Sequence, residues 1–204
     1  MRPMHCMKID PDNGRLLLRL ALHSIEYGLA HGRVMAVDID QYPPPLRQPR
    51  ACFLTLTEGG SLRGCTGALE PTKPLAEQVV EAAYATAFRD TRFAALREGE
   101  LDRLELELSV LGPLQRLQVA TEAELIAVIE PLIDGVVLEA DGRRATFLPK
   151  VWEQLPEPRE FLRHLRHKAG LPDQAWHADM RVSRYSTQNF SATVRELRES
   201  AACP

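Results

Sequence analysis

The chain has 204 residues, 45% hydrophobic and 26% charged, enough apolar material for one large domain or two small ones without disulfides or metal. Its formal net charge of −3 argues against the basic footprint of a nucleic-acid-binding domain. Cys6, Cys52, Cys65 and Cys203 form no Cys-X-X-Cys pair, and the sequence shows neither a secretory signal pattern nor an apolar run of membrane-spanning length, so a cytoplasmic protein with reduced thiols is expected.

Asp10-Pro11 reads as a helix start, with Asp10 as N-cap and Gly32 as the stop. Leu16, Leu17, Leu20, Ser24 and Tyr27 fall on one side of that helix. Tyr42-Pro43-Pro44-Pro45 is expected to be extended, because proline removes donors and biases the residue before it. Ala51 to Thr57, the turn Glu58-Gly59-Gly60-Ser61, and Leu62 to Gly67 read as a β-hairpin. Lys73-Pro74 opens a second helix with Leu75, Val79, Ala82, Ala83 and Ala87 inward.

Arg103 to Gly112 is the clearest strand, since Leu104, Leu106, Leu108 and Val110 alternate with Glu105, Glu107 and Ser109. Thr121 and Glu124 form a capping box for a short helix through Ile129. Asp134-Gly135 turns the chain into a second hairpin, Val136 to Ala140 and Arg143 to Leu148, joined by Asp141-Gly142. Pro149 to Leu155 is expected to form a helical turn. Glu157-Pro158 starts a helix with Phe161, Leu162, Leu165 and Ala169 inward, Arg159, Arg163 and Arg166 solvated, and Gly170 as stop. Met180 to Tyr185 reads as the last strand, and residues 191–204 as an exposed tail, a short exposed helix or disordered from Ser191. Hairpins with irregularly placed helices predict an α+β fold, a mainly antiparallel sheet flanked by helices.

The richest chemistry lies in Leu62-Arg63-Gly64-Cys65-Thr66-Gly67. Simple alternation puts Arg63, Cys65 and Gly67 on one strand face, whereas a bulge at Gly64 would turn Arg63 and Cys65 to opposite faces. A guanidinium beside a thiol favours thiolate, the reactive form, while Gly64 and Gly67 let a ligand approach the backbone. The plainer reading is a small cysteine packed where nothing larger fits. Arg89, Asp90 and Arg92, at the end of the second helix, read either as a clamp for an anionic ligand or as a structural network in which Asp90 pairs with an arginine. His164 and His167 share a helical face, but without a third ligand in view no metal site is assigned. Trp152 and Trp176 read as structural.

These residues resemble a known family. Leu62 to Gly67 is similar to the Leu-Arg-Gly-Cys-Ile-Gly signature of the AMMECR family, with Thr66 in place of the usual Ile. Arg89-Asp90-Thr91-Arg92-Phe93, Leu108-Ser109-Val110-Leu111, Asp134-Gly135, Leu148-Pro149-X-Val151-Trp152 and Lys168-Ala169-Gly170-Leu171 resemble further family blocks, and the likeness runs roughly from residue 14 to 190. Its bacterial branch, the AmmeMemoRadiSam system A proteins, is the branch most resembled. The resemblance implies a single AMMECR-type domain over residues 10–190, with a larger part built from both chain ends, a smaller central part and a signature-lined cleft.

The implied site comprises Cys65 and Arg63 as catalytic groups, with Gly64, Thr66, Gly67, Arg89, Asp90 and Arg92 as binding residues. No cofactor is specified. Two functions are carried forward. One is an enzyme or enzyme component using the Cys65 thiol on a small anionic molecule. The other is a non-catalytic module recognising a partner protein or nucleic acid. The resemblance links either to Memo-like and radical S-adenosylmethionine proteins.

Overall fold

The computed structural model describes residues 8–172, 176 and 180–199. The chain is α+β and divides into two compact units, residues 1–111 with 188–204, and residues 112–187. Among the described residues no helix is long and apolar enough to cross a membrane.

In the first unit, helix α1 (Pro11–His31) begins as its sequence requires. Asp10 accepts from the Asn13 amide, Pro11 occupies the first turn, and Gly32 closes the helix at φ 67°. Leu17, Leu20 and Ser24 are buried as expected, together with Leu18, Ala21, Leu22 and Ile25. The helix packs on α2 (Leu75–Phe88), and the Ser24 hydroxyl donates to the Val80 carbonyl at 2.8 Å. A side chain at Gly28 would meet the Phe88 ring at 2.4 Å, so glycine permits this close approach. Residues 42–45 are not wholly extended: Pro44–Leu46 makes a 3-10 turn with Pro44 in its first turn, where a missing donor costs nothing.

The sheet of this unit runs in the order β2-β1-β3-β8, from β1 (Cys52–Glu58), β2 (Ser61–Gly67), β3 (Leu104–Leu111) and β8 (Thr187–Thr193). The β1–β2 and β1–β3 ladders are antiparallel. Gly59 and Gly60 adopt φ 56° and 80°, the left-handed pair of a tight hairpin turn. Leu54, Leu56, Leu104, Leu106, Leu108 and Val110 turn inward and bury the sheet's inner face against the helices. Residues 191–199 contain the short helix expected of the tail, but it is not wholly exposed. They complete β8 and form helix α5 (Val194–Glu199), whose Val194 and Leu197 are buried. Residues 200–204 lie outside the described residues.

The second unit holds the sheet β4-β7-β5-β6, from β4 (Gln115–Leu117), β5 (Gly135–Ala140), β6 (Arg143–Phe147) and β7 (Arg181–Tyr185), with antiparallel ladders. Helices α3 (Glu122–Val128) and α4 (Pro158–Lys168) belong to it. The Thr121 hydroxyl caps α3 by accepting from the Glu124 amide at 3.2 Å, and the Glu124 carboxylate accepts from the Ala120 amide at 2.8 Å. Pro149–Glu153 is the expected helical turn, wound as a 3-10 helix. Trp152 stacks on Phe161 with ring centroids 3.6 Å apart and donates to the Asp134 carbonyl at 2.7 Å. Phe161, Leu162 and Leu165 are buried, and Arg159 and Arg163 exposed, as the helical spacing predicts. Arg166 departs from that prediction. It is only 5% exposed, because its guanidinium reaches Glu122 on α3 at 2.5 Å.

Candidate functional site around Cys65

Among the described residues the signature occupies β2, an edge strand with β1 on one side only. Its pairing with β1 shifts register between Leu56 and Thr57. Leu56 faces Gly64 and Thr57 faces Leu62, which leaves Arg63 as the extra residue of a β-bulge. This corrects the simple alternation expected of the strand. Leu62 and Cys65, paired with Thr57 and Thr55, share the outer face, whereas Gly64 and Thr66 face inward with Leu56 and Leu54.

Arg63 commits its guanidinium elsewhere in the unit. Its Nε donates to Glu100 at 2.8 Å and its Nη2 to the Ala94 carbonyl at 2.9 Å. The Arg63 guanidinium holds the Glu100 carboxyl below the usual carboxylate range. Glu100 also accepts from the Arg97 amide at 2.8 Å, so the pair ties β2 to the segment that follows α2.

Asp90 and Arg92 converge on the backbone of Cys65. The Cys65 amide donates to Asp90 Oδ2 at 2.9 Å, and Arg92 Nη2 donates to the Cys65 carbonyl at 3.0 Å. The two side chains also grip each other, Arg92 Nε to Asp90 Oδ1 at 2.9 Å and Nη2 to Oδ2 at 2.7 Å. They satisfy main-chain groups that an edge strand leaves open. The Asp90 side chain is 6% exposed and that of Arg92 54%, so the carboxylate is enclosed while the guanidinium reaches outward. The Arg92 hydrogen bonds, helped by the Cys65 amide, lower the Asp90 carboxyl to about 2 against desolvation. The same partnership raises Arg92, with a smaller electrostatic contribution from the Cys65 sulfur.

The Cys65 side chain is half-buried, and the Thr55 hydroxyl donates to its sulfur at 3.3 Å. Cys52 contrasts with it: full burial pushes that thiol up to about 12 and keeps it protonated and inert. Thr66 faces α2, where its hydroxyl lies 2.7 Å from that of Thr86 and 3.2 Å from the Ala82 carbonyl. Gly64 lies against the same helix, since a side chain there would meet the Thr86 carbonyl oxygen at 2.7 Å. At Gly67 it would meet the Cys52 carbonyl oxygen at 2.2 Å. Both glycines therefore permit packing within the unit.

Arg89 caps α2, donating its amide to Ala85, and places its guanidinium 5.1 Å from the Tyr84 ring centre. His164 lies 3.9 Å from Glu160 on α4. Among the described residues no three His, Cys, Asp or Glu side chains converge as a metal ion requires. Thr55, Thr86 and Glu100 were not singled out by the sequence. Thr55 was recoverable by pairing the two hairpin strands, whereas nothing local marked the distant Glu100.

A family model described as AMMECR1 matches residues 18–190. A protein of Methanothermobacter thermautotrophicus is 36% identical over 189 residues, covering 90% of this chain and 98% of its own. Protein MJ0810 of Methanocaldococcus jannaschii is 34% identical over 183 residues, covering 88% and 90%. The crystal structure of the uncharacterized protein PH0010 from Pyrococcus horikoshii superposes with a TM-score of 0.84 at 32% identity, covering 90% of this chain and 93% of that one. The matched span takes in the β2 signature, the Asp90–Arg92 clamp and the α4 blocks alike: this chain belongs to the AMMECR1 family.

Proposed function

We propose that the chain is an enzyme or enzyme component whose reactive group is the Cys65 thiol and whose substrate is a small anionic molecule. The observation that carries this reading is the setting of Cys65. Its sulfur is half-buried and hydrogen-bonded to Thr55, while its main chain is held on both sides of the residue by Asp90 and Arg92. A thiol fixed at that precision next to an outward-reaching guanidinium suits nucleophilic attack on an anion's electrophilic carbon. Arg92, whose Nη2 donates to the Cys65 carbonyl at 3.0 Å, supplies a cation beside this residue. Arg63, neutralised by Glu100, sets the bulge that turns Cys65 outward. The compartment belongs to the same reading, since a reactive free thiol persists in the reducing cytoplasm. So does a partnership with Memo-like and radical S-adenosylmethionine proteins, which the family resemblance supports.

Alkylation of the native full chain, followed by peptide-resolved mass spectrometry, tests the reading. Cys65 labels faster than Cys52. The anionic reagent iodoacetate gains on neutral iodoacetamide relative to free cysteine, and Arg92→Gln removes that gain. Labelling of Cys65 no faster than Cys52 overturns the reactive thiol. A reagent preference equal to that of free cysteine overturns the anionic substrate.

A further inference from the structure

We propose that Arg116, Ser183 and Arg181, on one face of the second unit's sheet, bind the phosphate group of a small polar phosphomonoester. The site is independent of the Cys65 reading, since β4 and β7 belong to the other unit. Arg116 on β4 is directly opposite Ser183 on β7, and directly opposed residues share a sheet face. Arg181 lies two residues along β7 from Ser183, so alternation returns it to that face. Val182, between them, points the other way into the core of the unit, where it is buried. The row that crosses the sheet at Ser183 grades outward: Val137 on β5 is buried, Ser183 half-buried and Arg116 exposed. The three polar side chains meet where that row opens.

None of the three is engaged within the chain: among the described residues their side chains make no hydrogen bond or ion pair. Arg116 and Arg181 are diagonal neighbours on adjacent strands, with backbones about 7–8 Å apart. Two like charges at that spacing repel, and a shared anion turns the repulsion into attraction. The carboxylate opposite Arg181 on its other side is Glu139, and it is taken up by Arg144, whose Nε lies 2.9 Å from it. Two positive charges are left without a counter-ion, the complement of a phosphate dianion. Guanidinium forks match pairs of phosphate oxygens, and a serine hydroxyl can donate to another.

Arg181 also lines a groove of about 480 Å³ that reaches the β5–β6 turn. Glu139, Asp141, Arg143 and Arg144 supply the rest of its charged lining. An ester anchored at Arg181 can lay its remainder along this groove, and such a lining suits a hydroxylated remainder over an apolar one. A nucleic-acid strand needs a longer basic track, which Glu139 and Asp141 interrupt.

The test titrates the native full chain with glycerol 3-phosphate and with inorganic phosphate at pH 7 and low ionic strength, followed by calorimetry. Both bind, glycerol 3-phosphate more tightly because the groove receives its hydroxyls. Arg116→Gln and Arg181→Gln each weaken both ligands about fivefold or more, the loss of one charge-assisted hydrogen bond. Ser183→Ala weakens them about threefold. Arg159→Gln, at an exposed position of α4, matches wild type. Methyl sulfate, a monoester with a single charge, binds more weakly than either phosphate. Equal affinity for the two phosphates overturns the groove's part and assigns the site to the free ion. No binding at millimolar concentration, or affinity unchanged by Arg116→Gln and Arg181→Gln, overturns the inference. So does a short RNA held through these arginines while both small phosphates are ignored, which marks a polyanion surface instead.

Discussion

The Asp90 carboxylate accepts the Cys65 amide at 2.9 Å while it binds the Arg92 guanidinium at 2.7 Å, so one enclosed charge serves both the fold and the thiol's position. Its depressed ionisation makes this contact visible in the pH dependence of stability. A carboxyl lowered in the folded state contributes fully above its ordinary value of 3.8 and loses that contribution as pH falls through about 2. Asp90→Asn is therefore expected to cost about 2 kcal/mol at pH 7, a difference that shrinks between pH 4 and pH 2. Denaturant unfolding of both proteins across that range checks it. A gap that stays constant down to pH 2 would detach Asp90 from the effect.

Gly64 meets α2 through the main chain of Thr86, which has no flexible end to swing aside. Gly64→Ala brings a methyl group to 2.7 Å from a carbonyl oxygen, so strand or helix must shift. The expected cost is about 1–3 kcal/mol, the range for overpacking a tight contact. Because the shift moves β2, Cys65 alkylation should change as well. Unaltered midpoint and labelling in the alanine variant would show that the strand yields freely.

The sequence made legible those elements whose causes are local. The alternation Leu104-Leu106-Leu108-Val110 specifies β3, the Asp10-Pro11 cap starts α1, and the Gly59-Gly60 and Asp141-Gly142 pairs mark hairpin turns. Strand β8 was missed because Phe190 and Ala192 are its only apolar residues and neighbouring strands supply its pairing. The glycines raised a bulge at Gly64 as an alternative, but its presence and its place at Arg63 depend on two strands together. Arg89, Asp90 and Arg92 were recognised as a charged group, but the Asp90 contact with Cys65 spans 25 positions, beyond any periodic signal.

Arg166 illustrates a charge that periodicity places on the wrong side. It is buried, pairs with Glu122 at 2.5 Å and leaves its Nε without a hydrogen-bond partner. Enclosed ion pairs return little net stability, because desolvation offsets their attraction. Arg166→Met, which keeps volume and removes both the charge and the unpaired donor, is expected within about 1 kcal/mol of wild type. Glu122→Ala strands the guanidinium and is expected to cost more, about 1–3 kcal/mol, less than a fully enclosed pair because Glu122 keeps 30% exposure. Equal costs for the two variants, measured by denaturant unfolding, would contradict this asymmetry.

Thr66, the position where the family signature carries isoleucine, gives the last prediction. Its hydroxyl lies 2.7 Å from that of Thr86, and the Thr86 hydroxyl also lies 2.7 Å from the Ala82 carbonyl and 3.2 Å from the Leu54 carbonyl. Thr66→Ile removes one hydroxyl from this group but leaves Thr86 its carbonyl acceptors, so the change is expected within about 1 kcal/mol of wild type. Thr86→Val acts differently. It strips a buried helix position of the oxygen that accepts from the Thr66 amide at 3.2 Å and faces the Thr66 hydroxyl, for an expected cost of about 1–3 kcal/mol. In Thr86→Val the Thr66 hydroxyl keeps the Ala82 carbonyl at 3.2 Å but faces a methyl group, against which the isoleucine of the double variant packs instead. The double variant is thus expected to be more stable than Thr86→Val, with a coupling of about 0.5 kcal/mol or more. Strict additivity in that double-mutant cycle would mean that the two hydroxyls, though adjacent, do not depend on each other.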